Sequence, residues 1–117
     1  MKSYRDLIVW QKSMDVVTLV YKLTKQFPAD EKFGLTSQIK KSSVSVPSNI
    51  AEGYGRNYTK DYARFLQIAR GSLYEMQTQF QIVVNLKFIN EIELHDNKKI
   101  SIEVEKMLNS LISKLTN

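Results

Sequence analysis

The sequence predicts an all-α protein folded as an antiparallel up-down-up-down four-helix bundle. Three observations lead there. Apolar residues recur in four separate segments at alternating steps of 3 and 4, the spacing of one helix face. The chain holds only 4 Gly and 2 Pro in 117 residues, too few for the many turns of a sandwich or barrel. No run alternates polar and apolar residues for long enough to make a half-buried strand. Amphipathic helices joined by short links pack as antiparallel neighbours. Residues 1–117 are expected to form one domain, large enough for a single core, with an ordinary 43% hydrophobic and 25% charged composition.

In the first segment, Leu7, Trp10, Met14, Val17 and Tyr21 lie on one stripe. Val9, Val16, Val20, Leu23 and Phe27 add a second beside it. So wide an apolar surface predicts a core helix. Pro28 closes it, because the residue before a proline disfavours the α region. Residues 30–34 then make the connection.

The second helix is predicted over about Leu35–Tyr54. Leu35, Ile39, Val46 and Ile50 share a face, with Ser42 and Ser43 filling the gap. Pro47 falls inside this helix rather than between two, since Ile39, Val46 and Ile50 stay in phase across it; a kink is expected there. Ser42, Ser43, Ser45, Ser48, Ala51 and Gly53 are small enough to let another helix approach closely. Gly53 and Gly55 are expected to end the helix.

Thr59 is a predicted N-cap for a third helix of about 29 residues, Lys60–Phe88, with Asp61 in its first turn. Its stripe is Leu66, Ala69, Leu73, Met76, Phe80 and Val83. Asn90 caps the fourth helix, and Glu93 three positions on completes a capping-box pattern. Ile100, Val104, Met107, Leu108, Leu111, Ile112 and Leu115 are its expected buried face. The polar patch at Leu94–Asn97 is an expected weak point.

Little in the sequence supports catalysis. Without cysteine there are no disulfides, thiolate ligands or thiol nucleophile, which suits a cytoplasmic location. His95 is the single histidine, so no pair of His ligands exists, and a solvated surface histidine accounts for it. Glu91/Glu93 and Glu103/Glu105 are two apart and diverge on a helix. Gly53-Tyr54-Gly55-Arg56 lacks the third glycine of a dinucleotide loop and no strand precedes it, so it reads as a helix-ending turn. A small helical ribonuclease would place an arginine a few residues ahead of a histidine, and none stands so before His95. The expectation is a non-enzymatic protein with no cofactor and no metal. Lys2, Arg5 and Asp6 interrupt the place of a signal-peptide core, and no apolar run is long enough to span a bilayer.

The formal net charge is +5, unevenly spread: +3 over residues 1–27, +1 over 28–58, +2 over 59–89 and −1 over 90–117. Around the predicted turn between the second and third helices lie Lys40, Lys41, Arg56, Lys60, Arg64 and Arg70, interleaved with Tyr54, Tyr58, Tyr62 and Tyr74. Cations pair with phosphates and tyrosine rings stack on bases, so these six basic residues are the candidate nucleic-acid-binding set. The bland alternative is tyrosines covering a bundle end beside ordinary surface lysines.

Several motifs resemble one known family. Residues 5–12 (RDLIVWQK), 33–39 (FGLTSQI), 46–56 (VPSNIAEGYGR), 64–73 (RFLQIARGSL) and 107–109 (MLN) occur in its order. The chain resembles the four-helix-bundle proteins encoded in intervening sequences of bacterial 23S rRNA genes. The resemblance covers nearly the whole chain, with Arg70 at a position expected to vary. It implies a ring-shaped homopentamer, a ribosomal-protein-like setting and no established catalytic activity. It also implies kinship with the basic accessory proteins of diversity-generating retroelements, which work with a reverse transcriptase and bind nucleic acid. No catalytic residue carries over. Ser48, Asn49, Glu52 and Gly53 match the family motif and serve either packing, a subunit contact or a ligand. The expected partners are copies of the chain itself, RNA or DNA, or a protein such as a polymerase, and no membrane.

Overall fold

The computed structural model describes residues 2–117; Met1, the first residue of the predicted domain, lies outside them. Four helices account for most of the chain: α1 (Ile8–Leu23), α2 (Leu35–Tyr54), α3 (Thr59–Asn85) and α4 (Glu91–Thr116). Short 3-10 turns at Tyr4–Asp6, Thr24–Gln26 and Ala29–Glu31 flank α1 and lead into α2. Among the described residues there is no strand. Each helix packs on its neighbours in sequence, and α4 closes on α1. The bundle measures 43 × 25 × 23 Å.

Paired contacts fix the directions. Ser42 meets Gln79, Ser45 meets Ser72 and Arg70 meets Asn109, while Lys12 meets Glu103. Asn97 Nδ2 donates to the Val16 carbonyl, one helical turn along from the Lys12–Glu103 contact and in the opposite sense on α4. The bundle is thus the up-down four-helix form that the four stripes predict.

The core confirms most of the predicted faces. All six stripe residues of α3 are buried, as are Ile39, Val46 and Ile50 of α2 with Ser42 and Ser43 between them. Ser42 Oγ donates to Gln79 Oε1 (2.8 Å), so a polar pair sits inside the α2–α3 contact without an unmet hydrogen-bonding group. At the start of α4 the capping box is complete: Asn90 Oδ1 accepts from the Glu93 amide (2.8 Å) and Glu93 Oε1 from the Asn90 amide (3.1 Å). The helix runs unbroken through Leu94–Asn97, because Leu94 and Asn97 point inward and are both buried. Ile100, Met107, Leu111 and Leu115 are half-buried and pack on the core's edge.

Several details depart from expectation. Thr59 is the first helical residue of α3 rather than its cap; Tyr58 is the N-cap and contributes no side-chain hydrogen bond. Helix α3 stops at Asn85 because Lys87 adopts φ 64°. The Phe88 amide then reaches the Val83 carbonyl (3.1 Å) and the Lys87 amide that of Val84 (3.0 Å). This is the left-handed ending usually given to glycine, here occupied by lysine, which hides it from a sequence reading. Gly53 does not end α2: it lies within the helix and is buried, and no glycine has positive φ. The two stripes of α1 also separate. Val9, Val16, Val20, Leu23 and Phe27 enter the core, whereas Met14 and Tyr21 of the other stripe remain 40% and 43% exposed.

Helix α2 continues through Pro47, which is buried. A proline in an ordinary helix interior costs about 3 kcal/mol. Here it borders a groove that Trp10 and Met14 of α1 also line. Pro47→Ala is expected to leave stability unchanged or lower it, because the two lost methylenes, about 0.8 kcal/mol each, offset the regained backbone hydrogen bond. Thermal unfolding followed by circular dichroism checks this; a rise of about ten degrees would show the ring has no packing role.

Candidate nucleic-acid interface

The α2–α3 turn, residues 55–58, brings several candidate residues together because Gly53 permits a close helix crossing. A Cβ at Gly53 would lie 2.7 Å from Phe65 Cβ. With no side chain there, Phe65 seats against α2, and two guanidiniums lie over its ring: Arg56 at 4.7 Å and Arg64 at 4.9 Å from the centroid. Stacking of this kind orders an otherwise mobile arginine and leaves its N–H edges available. Arg56 also donates to Glu52 Oε1 at 2.7 Å, an exposed i,i+4 pair. Lys60 is exposed one turn before Arg64.

The tyrosines divide. Tyr54 and Tyr62 meet edge to face, with centroids 6.1 Å apart, and both are half-buried. Burial, and then the neighbouring Tyr54, pushes the Tyr62 hydroxyl above its ordinary value. Tyr58 is 71% exposed at the tip of the turn. Tyr74 is also exposed, but about 15 Å farther along α3 from Arg64.

Three of the six candidate cations therefore gather at one end: Arg56, Lys60 and Arg64. The others do not join them. Arg70 is half-buried and donates to Asn109 Oδ1 at 2.9 Å, tying α3 to α4. Lys40 lies over the Tyr21 ring at 4.8 Å, and Lys41 is exposed beside it. These two stand roughly 20 Å down α2 from the turn, since each helical residue advances about 1.5 Å. Phe65, the ring that organises the two arginines, escaped the sequence reading; its position one residue after Arg64 and its match to the small Gly53 were the available signals.

The motif residues of α2 have plain structural partners. Asn49 Nδ2 donates to the Ser45 carbonyl and Oγ, and Ser45 Oγ shares a hydrogen bond with Ser72 across to α3. Ser48 Oγ donates back to the Val44 carbonyl. Glu52 lies on the surface, not in the interior. Among the described residues no cluster of His, Asp or Glu is placed to hold a metal ion, and no helix is long and apolar enough to cross a membrane.

The α1–α2 side is different in kind. Tyr4, Trp10, Met14, Val17, Val44, Pro47, Ser48 and Ala51 line an apolar groove on the outside of the bundle. Below it Tyr21, Phe33 and Lys40 continue the same edge, with Phe33 90% exposed.

Fold and surface together define an all-α up-down bundle with Arg56, Lys60 and Arg64 beside aromatic rings at one end and an apolar groove on one side. The chain belongs to the 23S rRNA-intervening sequence protein family, whose model matches residues 5–110. It is also similar to a crystal structure of a protein of unknown function from the S23 ribosomal protein family of Bacteroides thetaiotaomicron. The identity is 24%, the TM-score 0.83, and the match covers 90% of this chain and 98% of that one. No curated protein matches the chain. At that identity the likeness speaks for the fold.

Proposed function

We propose that this protein is a non-enzymatic, self-assembling helical bundle that binds nucleic acid through the basic end at the α2–α3 turn. The observation that carries the reading is the placement of Arg56 and Arg64 on the Phe65 ring, with Lys60 beside them. Pre-ordered guanidiniums suit phosphate oxygens, which take parallel N–H donors. The local excess of positive charge is small, since Glu52 and Asp61 lie at the same end. Repetition of the site in an assembly, the pentamer that the family resemblance implies, would let weak contacts add by avidity.

Replacing Arg56, Lys60 and Arg64 together by alanine is expected to weaken binding of RNA or DNA and flatten its salt dependence. Each phosphate that is no longer neutralised removes roughly 0.7–0.9 from the logarithmic slope. Filter binding across a salt series measures both quantities. An absence of RNA and DNA binding by the wild-type protein at low salt would rule the reading out.

A second reading has its own support. The apolar α1–α2 groove suits a protein partner, such as a polymerase, as well as another copy of the chain. On that reading the bundle is an interaction scaffold, and the basic end has no direct nucleic-acid role.

A further inference from the structure

We propose that the α2–α3 end takes an unpaired strand rather than a duplex, with Tyr58 as the stacking platform for one base. The inference rests on the nucleic-acid reading above and names its substrate class. Of the four rings gathered at this end, three are engaged within the chain: Tyr54 with Tyr62, and Phe65 beneath two guanidiniums. Tyr58 enters none of these pairs and is 71% exposed.

Its backbone is nevertheless held. Tyr58 is the N-cap of α3, in extended backbone at φ −116° and ψ 137°, and its carbonyl accepts from the Tyr62 amide at 3.0 Å. The backbone that carries the ring is therefore tied to the first turn of a long helix. Arg56 lies two residues before it and Lys60 two residues after, so cations flank the ring along the chain.

A surface that met only phosphates would need the cations and gain nothing from an exposed aromatic ring. In a duplex the base faces are hidden in the stack, and only an unpaired base presents one. Two cations close in sequence to an exposed ring, Arg56 and Lys60, match a strand that offers both phosphates and an unpaired base. A single-stranded tail and the loop of a folded RNA both present that chemistry.

The test uses the full chain and four labelled probes: a strand of about 20 nucleotides, long enough to exceed one binding site, the same strand as a duplex, a hairpin with an unpaired loop, and an abasic strand of equal length. Fluorescence anisotropy is read for wild type, Tyr58→Ala and Tyr58→Phe at several salt concentrations. Wild type is expected to bind the strand and the hairpin loop at least about fivefold more tightly than the duplex. Tyr58→Ala should lose roughly five- to a hundredfold on those two probes, the range for one base–aromatic stack, and change little on the duplex. Tyr58→Phe should keep the affinity, and the abasic strand should bind wild type as weakly as the natural strand binds Tyr58→Ala. The salt slope should not change in Tyr58→Ala, which separates stacking from the charge losses of the triple variant. Equal affinity for strand and duplex, or an undiminished Tyr58→Ala, overturns this inference and leaves the phosphate-binding reading standing. Failure of every probe to bind at low salt overturns both.

Discussion

Gly53→Ala is expected to destabilise the bundle by up to about 2 kcal/mol, against the ordinary preference of helices. In an open helix interior alanine is better than glycine by about 1 kcal/mol. At Gly53 the added methyl would meet Phe65 Cβ at 2.7 Å, with the Tyr62 ring and carbonyl at 3.1 and 3.2 Å. Neither neighbour has room to withdraw. Phe65 Cβ is fixed to the α3 backbone, and the Tyr62 carbonyl belongs to that backbone. Overpacking of this kind costs about 1–3 kcal/mol, which outweighs the gain in propensity. Gly71 is the matched control, since nothing lies within 4 Å of the Cβ it would gain. Gly71→Ala should stabilise by up to about 1 kcal/mol. Denaturant midpoints for the two variants should therefore move in opposite directions. A stabilised Gly53→Ala would mean that α2 and α3 are not held as closely as the structure shows. The same variant should loosen the seat of Phe65 and with it the two stacked arginines.

The second large effect concerns assembly. If the proposed self-assembly uses the α1–α2 groove, Met14→Glu combined with Val44→Glu is expected to leave a monomer that keeps its helical circular dichroism spectrum. Both side chains are 40% exposed and border the same apolar groove, so neither supports the bundle's own core. Burying an aliphatic side chain contributes about 1.5–3 kcal/mol, and a carboxylate placed in an apolar contact adds a desolvation cost. With only the exposed 40% of each side chain left to bury, the two changes together should raise the dissociation constant by at least about tenfold at each subunit interface. Light scattering at micromolar concentration decides. A wild-type monomer would remove self-assembly from the proposed function. An oligomeric double variant would leave assembly standing but move the contact off this groove.

Most of the fold was written locally. The α3 stripe from Leu66 to Val83, the bounds of α2, the passage of α2 through Pro47 and the Asn90–Glu93 capping box are all legible as spacing or as a short motif. Periodicity and capping depend on residues within one or two turns of each other, so the sequence alone carries them.

The tertiary structure decided which of two apolar stripes on α1 became core. Trp10–Met14–Tyr21 and Val9–Val16–Val20 have the same period, and only the positions of α2 and α4 select between them. It also decided the candidate site. Residues 40–70 supply six cations; the length of α2 alone separates Lys40 and Lys41 from the turn, and packing turns Arg70 toward Asn109, leaving Arg56, Lys60 and Arg64 together. Gly53 shows the same limit. Its sequence context reads as the end of a helix, whereas its role is to admit Phe65 from α3, a partner set by the crossing of two helices. The sequence thus determined which segments are helical and, to within a residue, where α2, α3 and α4 begin. Which faces meet, and which charges are left free, followed from the way the four helices pack.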